Sequence, residues 1–318
     1  MKKILLLTLT IIFAFASQIV KPLKVIHFSS YIDKLAFNQK FIIGGLENST
    51  VEIKDAKTYE TIYTIKLPKI HDFMGDLQPM PVYSLDISPN GKTLLILTED
   101  EEAKRDLFLF DLETHKLTKV FTTKETLMKA RFINNHQIFF GLLSDEVTLY
   151  DLNQKKFLYK VQADSYVFST FALNRVKTKA AIGDESGSVK IIEVKNGKIL
   201  AKIMGFNKDK TLSLDFVKNY VINGSSDKRV AVYDITTKYS KIEMTANFLP
   251  YAVALSPKLD TFALQYDENN DIRVYDFNKK LLYILRGHSM PLNGIYYINE
   301  NKIISFSTGE VIIWNLKE

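Results

Sequence analysis

Five histidines are the side chains best suited to metal binding or proton transfer in this chain, and they stand far apart in the sequence. They are His27, His71, His115, His136 and His288. None of them belongs to a His-x-His or another short metal-ligand spacing. We therefore expect no metal site, and no catalytic residue among them.

Two acidic stretches are the next candidates, TEDEEAKRD at 98–106 and YDENNDIR at 266–273. In the second stretch, Asp267, Asn269 and Asp271 alternate like the oxygen ligands of a calcium loop. The glycine and the distal glutamate that complete such a loop do not follow. We expect solvated turns at both places rather than a calcium site.

The sequence also lacks the other common signatures of catalysis. It contains no cysteine, which excludes disulfides, thiol nucleophiles and Cys-ligated metals. No Gly-x-Ser-x-Gly nucleophile turn and no glycine-rich phosphate loop is present. These observations favour a protein that is not an enzyme and carries no cofactor.

The N-terminus has the pattern of an export signal. Lys2 and Lys3 precede the apolar run ILLLTLTIIF, and Ala14 and Ala16 form an Ala-x-Ala cleavage pattern. We expect a signal peptide at residues 1–16 and a periplasmic mature protein. The alternative is a retained anchor, but the apolar run is shorter than the roughly twenty residues of a spanning helix.

The charge of the chain is moderately basic and evenly spread. The formal net charge of +6 falls to +4 once Lys2 and Lys3 are removed with the signal peptide. The basic residues are scattered rather than clustered, which is typical of a solubilising surface. We expect no nucleic-acid partner.

An internal repeat organises the rest of the chain. Short apolar runs end in an acidic or amide residue at intervals of 56, 40, 42, 41, 42 and 39 residues, which gives seven units. The terminal residues of these runs are Asp55, Asp111, Asp151, Glu193, Asp234, Asp276 and Asn315. Within each unit, apolar and polar residues alternate over five to seven positions between Gly, Asp, Asn and Ser turns. This pattern predicts four short strands per unit and an all-β chain.

A period of about 40 to 45 residues with four strands and a terminal Trp-Asp-like pair resembles the WD40 family of β-propellers. The resemblance covers residues 17–318 and implies one domain, a seven-bladed β-propeller. It is strongest in the last unit, where His288, Ser305 and Trp314 match the buried hydrogen-bonding residues of the family. The turn at 307–310 lacks the aspartate of the family, and the other units lack the Gly-His pair and the tryptophan.

The last unit lacks a fourth strand, because the chain ends three residues after VIIWN. The segment KPLKVIHF at 21–28 matches the fourth-strand pattern of the other units. We expect it to pair with the last strand, closing the ring of blades and leaving no open sheet edge. About three of its apolar side chains should be buried, either Leu23, Val25 and Phe28 or the alternate ones.

The first interval of the repeat is longer than the others, and the extra residues fall in two places. One is PKIHDFMGDLQPMP at 68–81, before the first strand of blade 2, and the other is the acidic turn at 99–105. Both connections lie on the same face of a WD40-type propeller, so we expect them to be neighbours. The exposed apolar and acidic composition is typical of a protein contact, and a plug over the channel is the alternative. The predicted partner-binding residues are His71, Asp72, Phe73, Met74, Leu77, Met80, Asp100 and Glu101.

Two functions fit these features. The first is an exported, non-catalytic scaffold that binds another periplasmic protein. The chain resembles the accessory propellers encoded with the periplasmic nitrate reductase system, which implies a role in maturation of, or electron transfer to, that enzyme. The second is a small-molecule-binding or enzymatic propeller, similar to lactonases or quinone-dependent enzymes, with Asp86, Arg131 and Asp215 pointing into the central channel.

Overall fold

The computed structural model describes residues 17–72 and 74–317. The expected signal peptide at 1–16 and Phe73 lie outside the described residues. The described part of the chain forms strands, turns and one short 3₁₀ segment, Glu101–Ala103. Within it, no helix has the length and apolar character needed to cross a membrane.

Of the 31 strands in the described residues, 28 form seven four-stranded antiparallel units, which we call blades 1 to 7. In chain order the strands are β1 (Gln18–Val20), β2 (Lys24–Ile26), β3 (Ile32–Phe37), β4 (Phe41–Leu46), β5 (Thr50–Asp55), β6 (Thr61–Lys66), β7 (Lys69–His71), β8 (Leu77–Pro79), β9 (Val82–Ile87), β10 (Thr93–Glu99), β11 (Arg105–Asp111), β12 (Leu117–Thr123), β13 (Leu127–Phe132), β14 (Gln137–Leu142), β15 (Glu146–Asp151), β16 (Lys156–Gln162), β17 (Phe168–Leu173), β18 (Lys179–Asp184), β19 (Val189–Glu193), β20 (Ile199–Ile203), β21 (Thr211–Val217), β22 (Tyr220–Ser225), β23 (Arg229–Asp234), β24 (Tyr239–Thr245), β25 (Val253–Leu255), β26 (Thr261–Gln265), β27 (Ile272–Asp276), β28 (Leu281–Leu285), β29 (Leu292–Asn299), β30 (Lys302–Ser307) and β31 (Val311–Asn315).

The blades surround a central channel, as the sequence repeat predicts. Blades 1 to 6 are β3–β6, β9–β12, β13–β16, β17–β20, β21–β24 and β25–β28, and blade 7 consists of β29–β31 together with β2. The first strand of each blade lies next to the channel, and the fourth lies at the circumference. The protein is therefore a seven-bladed β-propeller.

The recurring acidic residue at the end of each third strand has a local structural role. Asp111 Oδ1 accepts hydrogen bonds from the backbone N–H groups of Glu113 and Thr114, at 2.9 and 2.7 Å. Asp55 binds the two N–H groups of its own turn in the same way. A carboxylate at this position accepts the backbone N–H groups of a tight turn. This local role explains why a similar residue recurs at the same place in successive blades.

The core consists of separate apolar layers between neighbouring blades. Ile43 and Val51 of blade 1 pack with Leu94 and Phe108 of blade 2, and each blade pair contributes a similar cluster. Because every blade is covered on both faces, its second strand is mostly buried and rich in apolar residues.

The expected ring closure is confirmed. β2 pairs antiparallel with β31, with Lys24 opposite Ile313 and Ile26 opposite Val311. The buried side chain is Ile26, at 4% exposure, whereas Leu23 and Val25 are 52% and 37% exposed. Of the two expected faces of this strand, the one with Ile26 is buried, because Ile26 points into the apolar layer between blades 7 and 1. The face with Leu23 and Val25 points outward.

A second N-terminal strand was not expected from the sequence. β1 lies parallel to β28, so that blade 6 gains a fifth strand at its outer edge. Val20 is buried in the apolar layer between blades 6 and 7. The segment 18–26 thus joins two neighbouring blades, and we refer to it as the N-terminal clasp.

Candidate functional site

The first sequence insertion folds as a small hairpin. β7 and β8 pair antiparallel, with His71 opposite Leu77. Ile70 and Met80 at its base are buried in the apolar layer between blades 1 and 2. At the tip, Asp72 Oδ1 accepts the N–H groups of Met74 and Asp76, at 2.9 and 3.0 Å. The hairpin is therefore anchored at its base and has a closed, hydrogen-bonded turn.

The hairpin contacts the second insertion, as the sequence predicts. His71 Nδ1 lies 2.9 Å from Glu101 Oε1, and the two side chains are 59% and 55% exposed. Hydrogen bonds from the His71 side chain and backbone lower the pKa of Glu101. The two insertions therefore form one continuous surface, which we call the hairpin face because it includes β7–β8 and the turn between β10 and β11.

Most of the predicted partner-binding residues lie on this surface, with one correction. Met74 and Leu77 are 75% and 54% exposed, and Glu101 is also exposed. Asp72 and Asp100 are half-buried. Met80 was assigned wrongly, because its side chain is 1% exposed and packs in the core between blades 1 and 2.

The acidic turn has an unusual backbone that is held from inside the blade. Glu102 and Ala103 have φ values of 60° and 57°, in the left-handed region that non-glycine residues seldom adopt. Arg105 Nη1 donates to the carbonyl groups of Ala103 and Lys104, at 2.8 and 3.1 Å. The buried arginine holds the strained backbone in place, which indicates that the turn keeps one conformation.

Arg105 also connects this turn to the central channel. It pairs with Glu99 at 3.1 Å, and its guanidinium group stacks on Tyr83 at 4.1 Å from the ring centre. Tyr83 donates its hydroxyl hydrogen to Glu99 at 2.6 Å and lines the channel. None of the described hairpin residues lines either of the two cavities in the central channel.

The three residues predicted to form a buried structural network in blade 7 do so. Trp314 Nε1 donates to Ser305 Oγ at 2.8 Å, and Ser305 Oγ lies 2.7 Å from His288 Nε2. His288 Nδ1 lies 3.0 Å from Glu310, which the sequence analysis missed. Glu310 takes the place of the aspartate that the turn at 307–310 lacks. Its longer side chain reaches the His288 imidazole from the end of that turn.

The residues proposed for channel chemistry lie together. Asp86, Arg131 and Asp215 all line one cavity of about 290 Å³, which we call the lower cavity. Asp86 accepts the N–H of Phe132 at 2.7 Å, and Asp215 accepts that of Leu255 at 2.9 Å. Both carboxylates therefore join the innermost strands of neighbouring blades.

A second cavity, of about 510 Å³, has a lining that the sequence analysis missed. Lys34, Lys129 and Arg131 line this upper cavity. Aligning the innermost strands by their repeat position would have identified the two lysines. In IDKLAF and LMKARF they occupy the third position, where the corresponding strand VYSLDI has Ser84.

The described residues contain no group of three or more His, Cys, Asp or Glu side chains that could hold a metal ion. In comparisons with known proteins, no family model and no curated protein matches this chain.

Proposed function

We propose that this protein is an exported, non-catalytic scaffold that binds a partner protein through the hairpin face. The observation that carries the proposal is the pairing of His71 with Glu101, which joins two independent insertions into one surface. A partner is supported by the apolar side chains at its centre, Met74 and Leu77, because exposed apolar residues next to acidic ones are typical of a contact surface.

The acidic turn gives the partner a chemical character. Glu101 and Glu102 are exposed beside the hairpin, and Asp76 is exposed at its tip. A complementary segment would carry apolar side chains flanked by lysine or arginine, because opposite charges accelerate encounter and orient the two surfaces. The fixed backbone of the turn reduces the entropy lost on binding.

The test removes the exposed apolar contacts and keeps the anchors of the hairpin. The double variant Met74→Ser, Leu77→Ser should retain the stability of the wild type, because neither side chain is buried. Affinity for the partner should fall by at least about tenfold, as expected when central apolar contacts are lost. Val176→Ser is the matched control, since Val176 is 74% exposed and lies in a turn at the opposite face.

The finer proposal concerns the identity of the partner. The sequence resembles the accessory protein NapL, and we propose that the partner is a component of the periplasmic nitrate reductase system that this protein helps to mature or to supply with electrons. Co-purification of the tagged protein with those components, compared between the wild type and the double variant, tests it. Equal recovery from both would contradict the role of the hairpin face. Saturable binding to a periplasmic protein outside that system, with none to its components, would contradict the identity alone.

A second candidate function is small-molecule binding or catalysis in the central channel. The observation that favours it is the convergence of Asp86, Arg131 and Asp215 on one cavity. Against a catalytic role, two of these side chains already bond to neighbouring strands. A ligand-dependent rise in melting temperature with sugar lactones or pyrroloquinoline quinone would support this candidate.

A further inference from the structure

The upper cavity lies at the end of the channel that opens on the hairpin face. Its lining includes the second residue of five innermost strands, namely Asp33, Tyr83, Met128, Ser169 and Asn293. These strands begin at the connections on that face, one of which is the β7–β8 hairpin. A volume of about 510 Å³ is within the range of small-molecule sites.

The lining carries an excess of positive charge. Lys34, Lys129 and Arg131 line the cavity, and Asp33 is its one carboxylate among the described lining residues. No ion pair within 4 Å involves any of the three cations in the described part of the chain. Burial lowers the pKa of Lys34 and Lys129, and the neighbouring charge of Arg131 lowers both further. Asp33 partly opposes the pKa shift of Lys34, and Asp86 and Asp215 partly oppose that of Lys129. The three basic groups therefore share one cavity, and none of them forms a close ion pair with a carboxylate in the described part of the chain.

The nearest buried carboxylates have other partners. Asp86 receives the N–H of Phe132, and Asp215 receives that of Leu255 and pairs with Arg175 at 3.0 Å. Burial raises the pKa of Asp86, with Arg131 opposing this shift. These groups are fixed by the blade contacts and do not form a close pair with the three cations.

Several donors that line the upper cavity have unused hydrogen-bonding capacity. The Lys34 ammonium group and the Tyr296 hydroxyl group have no hydrogen-bond partner among the described residues, and Ser169 Oγ is buried without one. Lys129 donates to Thr170 and to the Phe171 carbonyl, both at 2.8 Å. A cavity with spare N–H and O–H donors and excess positive charge is suited to an anion, because charge-assisted hydrogen bonds are the strong ones.

The Arg131 side chain adds a planar donor to this set. Its Nη1 atom donates to Ser84 Oγ at 2.7 Å and to the carbonyl groups of Leu85 and Ala130. These bonds fix the guanidinium group, while Nη2 and Nε have no partner in the described part of the structure. A fixed guanidinium with free N–H groups matches the geometry of an oxyanion.

We propose that the upper cavity binds a small, doubly charged oxyanion of the phosphate or sulfate class, either free or as a monoester, held by Lys34, Lys129 and Arg131 with the Tyr296 hydroxyl as a neutral donor. This site is separate from the hairpin face, and oxyanions are the class of ligand that we propose for the channel.

Isothermal titration of the purified protein with inorganic phosphate, sulfate and glycerol phosphate tests the site, with sodium chloride at equal ionic strength as the reference. Lys34→Met is the informative variant, because the Lys34 ammonium group makes no hydrogen bond in the described structure that its loss would break. We expect saturable binding by the wild type and a loss of about tenfold to a hundredfold in affinity for Lys34→Met. Tyr296→Phe should lose about twofold to tenfold, as expected for a neutral donor.

Two controls make the result specific. Lys34→Arg keeps the charge and should retain binding, and Lys66→Met removes an exposed charge at the outer strand of blade 1 and should change nothing. Saturable binding to the free ions shows an ion site, whereas binding to the ester alone shows a monoester site. No saturable binding of any probe below about 1 mM would overturn the proposal, as would wild-type affinity in Lys34→Met. The Met74→Ser, Leu77→Ser variant should bind the anion normally, so failure of the anion site and failure of the docking surface are distinguishable.

Discussion

Replacing Ile26 by alanine tests whether the N-terminal clasp holds the ring closed. Ile26 is 4% exposed, and it packs with Ile304, Val311 and Ile313 of blade 7 and with Ile32 of blade 1. The alanine variant removes three carbon atoms from this layer. At about 0.8 kcal/mol for each buried carbon the transfer loss is about 2.4 kcal/mol, and the cavity left behind raises the cost to a range of about 2.5 to 5 kcal/mol.

The neighbouring residue provides the control. Val25 lies on the same strand, opposite Ile312 in the register, but its side chain is 37% exposed. Val25→Ala therefore changes strand propensity and chain composition in a similar way while leaving the core intact, and we expect it to cost less than about 0.5 kcal/mol. The difference between the two variants isolates the packing of the clasp.

Chemical denaturation and thermal unfolding measure this difference. At about 2 °C per kcal/mol, Ile26→Ala should lower the melting temperature by roughly 5 to 10 °C. The clasp is held on both sides of Ile26, because Leu23 N–H donates to the Ile313 carbonyl at 2.8 Å before it and Ser29 N–H donates to Glu52 Oε2 at 3.0 Å after it. Fraying of a free terminus should therefore not hide the effect. Equal stability of Ile26→Ala and Val25→Ala would refute the assignment of the clasp as a closing element.

Two further predictions concern buried acidic groups. Burial raises the pKa of Asp145 to about 7, so its contribution to stability should be complete below pH about 4 and should be lost as the pH rises through 7, at up to about 1.4 kcal/mol per pH unit. When unfolding is measured at several pH values, the stability of Asp145→Asn should not show this fall with rising pH. An unchanged pH dependence of stability in the variant would contradict the role given to Asp145. The hydrogen bond from His288 helps to lower the pKa of Glu310 to about 2, so Glu310 should stabilise the fold above pH about 4, and Glu310→Ala should cost about 1 to 3 kcal/mol. Fluorescence of Trp314, the only tryptophan, should change in this variant and not in the exposed control Glu268→Ala.

The architecture could be predicted because it depends on a sequence pattern that occurs seven times: an apolar run that ends in an acidic or amide residue. The acidic residue after each third strand closes a turn through its own carboxylate, as Asp55 and Asp111 show, so its spacing reports blade size directly. The closing strand was predictable for a similar reason, since a blade without a fourth strand leaves an unpaired edge. β1 was not predictable, because a three-residue strand with one buried side chain has no periodicity.

The details of the candidate site depended on side-chain direction, which one sequence does not specify. Met80 and Met74 stand in the same apolar loop, yet the hairpin buries the first and exposes the second. The register of a single strand likewise decided that Ile26 rather than Val25 enters the core. A shift of one residue reverses the face of every side chain in a strand, so such assignments require the pairing itself.

Functional side chains in a repeat protein are best sought where a unit departs from the others, because shared residues are explained by the fold. The carboxylates of Asp86 and Asp215 occur at the same place in two blades and make the same inter-strand bond. The β7–β8 hairpin occurs in one blade connection only, and the Lys34 ammonium group makes no hydrogen bond to a neighbouring blade in the described structure. Both departures lie on one face of the ring, where Tyr83 and Arg105 connect the channel lining to the acidic turn. This common location, more than any single motif, directs the search for a partner and a ligand to that face.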